Sequence, residues 1–158
     1  MAIREIENPF VDIEDYNCFA CGPENKIGLK MRFFVDEEAQ EVFSKVKPHG
    51  DLAGFPGVLH GGIQATLLDE VAFWAIWDRV GKPALTSRME IELKRPVPMA
   101  TEVEARARIT NVKRKLATVE TWLAVDGETK TRAKIVYYLA DPEQWHGVSS
   151  TRIADLAR

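Results

Sequence analysis

Residues 60–83 read HGGIQATLLDEVAFWAIWDRVGKP, and this stretch decides the fold. The segment 63–80 contains neither Gly nor Pro, so it predicts a helix of about five turns. Gly81 and Pro83 are typical of the residues that end a helix. Apolar side chains occupy nearly every face of this helix, whereas a surface helix carries a single apolar stripe. Other elements must therefore enclose it.

Five polar residues interrupt the apolar run of the helix and indicate what encloses it. They are Gln64, Asp69, Glu70, Asp78 and Arg79. Charged side chains are costly in the hydrocarbon core of a bilayer, so the helix is a poor membrane span. A protein sheet is the better enclosure.

Strand patterns flank the helix on both sides. Before it, residues 28–35 and 41–47 are rich in β-branched and aromatic residues and predict a hairpin. After it, four runs predict four strands in a meander, with Asp126-Gly127 as a hairpin turn between the last two. These four runs are residues 85–94, 102–109, 116–125 and 129–139. The prediction is an α+β fold, with one antiparallel sheet of about six strands around one long central helix.

The alternation of the strand that follows the helix predicts which face of the sheet carries Thr86. Under strict alternation, Thr86 shares a face with Arg88 and Glu90, which is the polar face. Any role of Thr86 in a site would then require this face to meet a partner subunit.

Length and charge limit the domain organisation and the partners. The 158 residues and 17.8 kDa favour a single domain over 1–158, with an N-terminal arm or short helix in 1–27, a core in 28–140 and a C-terminal extension in 141–158. The net charge of −3 argues against nucleic acid as a partner. The first residues show no signal peptide, so we expect a soluble cytoplasmic protein with no membrane partner.

The two cysteines, Cys18 and Cys21, have the spacing of a zinc knuckle. A structural zinc site needs four ligands, and the sequence offers no second Cys pair or His pair, although His49 or a partner chain is available to complete one. We therefore predict no metal, and assign the cysteines to packing of the N-terminal segment.

Three motifs together resemble a known family. They are His60-Gly61-Gly62 with Asp69 and Glu70, the leader NCFACG at 17–22 with Asn25 and Gly28-Leu29, and Thr86 with Met89-Glu90-Ile91. Over roughly residues 18–139 the chain resembles the hotdog-fold acyl-CoA thioesterases, in the phenylacetate-type (PaaI-like) subgroup. The resemblance implies a hotdog fold, hydrolysis of a medium-chain or aryl acyl-CoA, and no cofactor.

The resemblance also assigns roles to residues. Gly61, at the positive end of the helix, would stabilise the oxyanion, and Thr86 would position the attacking water. Asp69 would act as general base or as nucleophile, and the sequence does not choose between them. Gly61 and Asp69 lie about 12 Å apart along one helix, too far to meet one carbonyl. The resemblance therefore implies a homodimer in which each active site is shared between two subunits, or a dimer of such dimers.

Six further residues are candidates for substrate binding, and four of them have a plainer alternative. They are His60, Gly62, Gln64, Glu70, Lys113 and Arg114. His60 is equally well explained as a residue that bonds the loop backbone, and Glu70 as an acid in a salt bridge or a dimer interface. Lys113 and Arg114 belong to a basic turn, which is either solvated or in contact with the phosphates of coenzyme A. Gly54 replaces the polar residue that related enzymes often carry there, and Gln64 is a candidate substitute.

Two alternative functions follow from the same residues. The first is a non-catalytic acyl-CoA or lipid-binding homo-oligomer that keeps the fold and the pocket. The second is a hotdog hydratase or dehydratase, which usually arranges a histidine and an acid differently around the central helix.

Overall fold

The computed structural model describes residues 2–141, and these form one antiparallel sheet around one long helix. The helix α1 spans Gly61–Val80, and two 3₁₀ turns span Pro9–Asp12 and Gly50–Leu52. The strands are β1 (Ile3–Ile6), β2 (Phe33–Asp36), β3 (Glu41–Val46), β4 (Ala84–Leu93), β5 (Val103–Lys113), β6 (Leu116–Val125) and β7 (Glu128–Leu139). The α+β prediction of a sheet around a single helix is confirmed, with one strand more than the six expected.

The extra strand comes from the N-terminal arm. β1 pairs with β2, with Ile3 opposite Asp36, so it forms one edge of the sheet. The Arg4 guanidinium donates to both carboxylate oxygens of Asp78 at 2.8 Å, which ties the strand to the last turn of α1. Part of the predicted arm therefore belongs to the sheet, and the predicted short helix is reduced to one 3₁₀ turn. Of the predicted C-terminal extension, residues 142–158 lie outside the described residues.

The strand order is β1-β2-β3-β5-β6-β7-β4, and this corrects the predicted meander. β5, β6 and β7 are consecutive neighbours, as expected. β4 pairs with β7 instead of β5, with Glu90 opposite Lys134, so it forms the second edge. Alternation of apolar residues shows which face of a strand is buried and carries no information about its neighbour. β5 is free to pair with β3 because the chain crosses over between β4 and β5.

A β-bulge in β4 overturns the expected orientation of Thr86. Thr86 pairs with Tyr137, whereas Arg88 pairs with Val136, so Ser87 is an extra residue on the β4 side. One extra residue exchanges the faces of all residues on one side of it. Thr86 therefore shares the helix-facing side of the sheet with Tyr137, and the prediction that it lies on the polar face is wrong.

The core is the contact between α1 and the concave face of the sheet. Leu67, Leu68, Val71, Ala72, Trp74 and Ile76 of the helix are all inaccessible to solvent. Gly81 ends the helix in the left-handed conformation, with φ of 69°, and the Asp126-Gly127 turn has positive φ at both residues, as a tight hairpin requires. Within residues 2–141, no helix is both long and apolar enough to cross a membrane.

Trp74 provides a test of this packing. Its ring is fully buried and stacks on Phe33 with a centroid distance of 5.1 Å. We expect Trp74→Ala to lower the free energy of unfolding by about 3–5 kcal/mol, measured by urea denaturation. Trp122→Ala is the matched control, because this half-buried tryptophan lies next to the Arg108 guanidinium. Its loss should cost about 1 kcal/mol, and equal losses for the two variants would contradict the packing described.

Candidate active site

The carboxylate of Asp69 is held by two hydroxyl groups. Thr86 Oγ1 donates to Asp69 Oδ1 at 2.7 Å, and the Tyr137 hydroxyl donates to the same oxygen at 2.6 Å. Tyr137 also lies 2.7 Å from the Asp69 carbonyl oxygen. Within residues 2–141, no Lys or Arg forms an ion pair with Asp69. The carboxylate is therefore positioned by neutral donors, and its second oxygen, Oδ2, makes no hydrogen bond to the described residues.

Tyr137 is the member of this group that the sequence analysis missed. Its side chain is 1% exposed, and burial, followed by the nearby Asp69 charge, raises the pKa of its hydroxyl above the ordinary value. The hydroxyl thus stays protonated and acts as a donor. Alternation in β7 places Tyr137 on the same face as Ile135 and Ala133. The hydroxyl of a tyrosine on this buried face was the sequence signal that could have identified Tyr137.

Among the described residues, the start of α1 leaves the Gly61 N–H free. His60 is the N-cap, and its Nδ1 accepts a hydrogen bond from the Gly62 N–H at 2.9 Å. His60 therefore bonds the backbone, which is the plainer of its two expected roles. The Gly62 N–H is then no longer available to a ligand. The Gly61 N–H donates to no other group among residues 2–141. Gly61 therefore offers a donor at the positive end of the helix.

The loop before the helix explains why Gly54 departs from the family pattern. A Cβ at Gly54 would lie 3.1 Å from His60 Cα, which is tighter than an ordinary contact. The Gly54 N–H donates to the Val58 carbonyl oxygen at 2.8 Å and closes the loop against the N-cap. A polar side chain at position 54 would have to displace His60.

Gln64 and Glu70 point inward. Gln64 is 3% exposed, and its amide donates to the Leu59 carbonyl oxygen at 3.1 Å and accepts from Thr131 Oγ1 at 2.5 Å. The amide is thus already engaged at both ends. Glu70 accepts from the Trp74 ring N–H at 3.2 Å, and burial raises the pKa of its carboxyl to about 7. Glu70 has no salt bridge within the described chain, contrary to one of the expectations for it.

A cavity of about 700 Å³ opens beside the helix start. Its lining includes His60, Gly61, Leu93, Lys94 and Arg95. Asp69 is absent from the lining, since it lies eight residues further along the helix, about 12 Å away. Within one chain, Gly61 therefore lies at this cavity and Asp69 lies away from it.

The basic turn that contains Lys113 and Arg114 lies at the end of the sheet opposite the cavity beside Gly61. Lys113 pairs with Leu116, which pairs with Tyr138, which pairs with Leu85. Three strand spacings, about 14 Å, thus separate Lys113 from Leu85. Both side chains of the turn are exposed, and they share the Asp69 end of the molecule.

Comparisons with known proteins agree with this fold. Residues 56–127 match the family model described as "Thioesterase superfamily". The acyl-coenzyme A thioesterase THEM4 of Mus musculus is 27% identical over 154 residues, which cover 90% of this chain and 66% of that protein. The chain thus spans just under two thirds of this relative.

Solved structures show the same architecture. A thioesterase superfamily protein superposes with a TM-score of 0.70 at 23% identity, over 75% of this chain and 58% of the other. A hypothetical thioesterase with coenzyme A from Streptococcus pneumoniae has a TM-score of 0.60 at 15% identity, over 63% of this chain and 81% of the other. At these identities the likeness shows the fold alone. The family-model match covers less than half of the chain, and together with these structures it shows similarity to the thioesterase superfamily and a shared fold.

The hydrogen bonds to Asp69 predict a difference between two adjacent tyrosines. Tyr137→Phe removes a buried donor to a carboxylate, so we expect a loss of about 1–3 kcal/mol in the free energy of unfolding, measured in urea. Tyr138→Phe makes the same chemical change at a side chain that is 42% exposed, and we expect it to be nearly neutral. Equal stabilities of the two variants would show that the Tyr137 hydroxyl contributes nothing at Asp69.

Proposed function

We propose that the chain is an acyl-CoA thioesterase, which hydrolyses a medium-chain or aryl acyl thioester to a carboxylic acid and free coenzyme A. The observation that carries the proposal is the partly exposed Asp69 carboxylate, fixed by Thr86 and Tyr137 on a helix that buries most of its apolar side chains. The relatives from Mus musculus and Bos taurus that are named acyl-coenzyme A thioesterases support the same chemistry. The phenylacetate-type subgroup and the cytoplasmic location remain predictions.

The proposed reaction uses Asp69 as a general base. Because Thr86 donates its proton to Oδ1, the Thr86 oxygen is left to accept a hydrogen bond from water. A water that donates one proton to Oδ2 of Asp69 and the other to Thr86 directs its lone pair toward a bound carbonyl. Asp69 takes the proton as the C–O bond forms and returns it to the thiolate of coenzyme A as the C–S bond breaks.

The charge that develops on the carbonyl oxygen is assigned to Gly61. Its free N–H lies at the start of a twenty-residue helix, where the dipole favours negative charge. In a single chain this donor is about 12 Å from Asp69 along the helix. The proposed site therefore combines Gly61 of one subunit with Asp69 of a second.

The edge position of β4 in the sheet of the described residues supports such a dimer. β4 is an edge strand, and Leu85 and Leu93 near its two ends are 45% and 55% exposed. An added Cβ at Gly61 would lie 3.9 Å from Leu93, so Gly61 marks one end of β4 and Thr86 marks the other. Antiparallel pairing of two β4 edges about a two-fold axis would bring the Gly61 end of one subunit to the Asp69 end of its partner.

The substrate would then lie between the subunits. Phe55, Val58 and Leu93 give the cavity beside Gly61 an apolar lining for the acyl group. Lys94 and Arg95 at this cavity are candidates for the phosphates of coenzyme A, and Lys113 and Arg114 are candidates contributed by the other subunit. A dimer of dimers is compatible with the same pairing.

Release of free thiol from a panel of acyl-CoA substrates tests the activity. We expect Asp69→Asn to lower kcat by about 10²–10⁴-fold, because the amide cannot accept the proton from water. Asp78→Asn is the matched control on the same helix, where the carboxylate bonds only to Arg4 among the described residues, and it should retain kcat. A wild-type chain that binds acyl-CoA without releasing thiol would indicate the non-catalytic alternative. Full activity of Asp69→Asn would contradict the role of Asp69.

Gly61→Pro tests the backbone donor and the shared site together. Proline removes the N–H at the first position of a helix, where it is tolerated best, and His60 already has the extended backbone that a following proline requires. We expect kcat to fall by about 10²–10³-fold, while the control Gly61→Ala keeps the N–H and most of the activity.

Mixed dimers then distinguish shared sites from sites within one chain. Unfolding and refolding Gly61→Pro with Asp69→Asn in equal amounts should restore about a quarter of the wild-type activity, because half of the dimers are mixed and each holds one intact site. No recovery in mixtures shown to contain mixed dimers would place the whole site in one chain.

A further inference from the structure

The two cysteines lie against the middle of α1, beside a residue that the proposed reaction does not use. The sulfur atoms of Cys18 and Cys21 and a carboxylate oxygen of Glu70 all lie within 4.8 Å of one another. Cys18 Sγ is 3.8 Å from Glu70 Oε1. Three groups that bind metal ions thus converge from two distant parts of the sequence.

The loop around the cysteines is built to hold both sulfurs on one side. The Cys21 N–H donates to Cys18 Sγ at 3.4 Å, and the Gly22 N–H donates to the Cys18 carbonyl oxygen at 2.9 Å. A Cβ at Gly22 would lie 2.6 Å from this oxygen, so only glycine fits the turn. The Met31 N–H donates to the Ala20 carbonyl oxygen at 2.9 Å and joins the loop to the segment before β2. The sulfur positions are therefore fixed before any ligand binds.

Within residues 2–141, no basic side chain is paired with the cluster. Glu70 is partly buried, and its hydrogen-bond partners within residues 2–141 are the Trp74 ring N–H and the cysteines. No Lys or Arg of the described chain forms a salt bridge with it. A carboxylate withdrawn from water is stabilised by a cation, by a bound metal ion or by protonation. A dication would supply the missing positive charge.

We propose that Cys18, Cys21 and Glu70 bind a divalent zinc ion. At ordinary Zn–S and Zn–O bond lengths, tetrahedral ligand atoms lie about 3.5–3.8 Å apart, and the distance between Cys18 Sγ and Glu70 Oε1 fits this spacing. Thiolates select soft and borderline metals, and the carboxylate favours zinc over copper(I). Binding releases the two thiol protons and forms two Zn–S bonds and one Zn–O bond.

The fourth zinc ligand is water. A cavity of about 290 Å³, lined by the two cysteines and Glu70 together with Phe10, Phe73 and Leu85, borders the cluster and gives access to the ion. The third protein ligand comes from α1, and the sequence analysis missed it because it sought a second Cys or His pair. The site is separate from the proposed hydrolytic group, since the Asp69 carboxylate bonds to Thr86 and Tyr137 instead.

Metal content and cobalt spectroscopy test the site without any substrate, so the result does not depend on hydrolysis. The full chain is purified in reductant without chelator, dialysed against micromolar zinc and then metal-free buffer, and assayed by mass spectrometry for metals. We expect about one zinc per chain. After exchange with cobalt, thiolate-to-metal charge-transfer bands and the visible bands of tetrahedral cobalt should appear. The chain has only two cysteines, so these bands report on Cys18 and Cys21.

Variants assign the ligands. We expect Cys18→Ser and Cys21→Ser to abolish the charge-transfer bands and Glu70→Gln to weaken zinc affinity at least about tenfold. Asp69→Asn is the matched control, because it alters the adjacent carboxylate and should retain zinc in full.

Three outcomes would overturn the proposal. They are a wild-type chain that keeps no zinc and shows no charge-transfer band with cobalt, zinc retention in Cys18→Ser, and a native Cys18–Cys21 disulfide in thiol titration of the protein as isolated. The cobalt spectrum of the wild-type chain is decisive even where a cysteine variant fails to fold.

Discussion

Enclosure of α1 by the sheet is the constraint on which the rest of the molecule depends. The helix buries apolar side chains on nearly all its faces, and this large apolar area is withdrawn from water only if the sheet curls around it. A polar group on such a helix therefore requires a partner. Asp69 has Thr86 and Tyr137, and Gln64 has Thr131 and the Leu59 carbonyl oxygen. Glu70 has the Trp74 ring N–H and the Cys18 thiol among the described residues. The different partners of the two adjacent acids are the basis on which separate roles are proposed for them.

The sequence predicts most of the fold because the signals for the helix and strands are local. Gly81 ends α1, the Asp126-Gly127 turn separates β6 from β7, and period-two alternation identifies the last four strands. Strand neighbours depend instead on contacts between distant residues. The pairing of β4 with β7 and the addition of β1 to the sheet edge could not be read from these patterns.

The candidate site was predictable only in part for a similar reason. Asp69 and Gly61 are marked by their places on the helix and by the resemblance. The bulge at Ser87 leaves no mark in an alternating pattern, yet it decides whether Thr86 faces the helix. Tyr137 on the neighbouring strand bonds directly to the same carboxylate, and the bulge places Thr86 opposite it. Its contribution follows from the register between two strands and not from any motif.

β4 takes part both in the proposed active site within one chain and in the proposed pairing of two chains. Its bulge turns Thr86 toward Asp69 within one chain, while its free edge, with Leu85 and Leu93 exposed, is available for pairing with a second chain. Unpaired edge strands tend to associate with other strands, and a two-fold partner satisfies the edge without leaving another one open. The same association would close the 12 Å gap between Gly61 and Asp69. On this argument, catalysis and dimerisation depend on one strand, and a change that shifts its register would disrupt both.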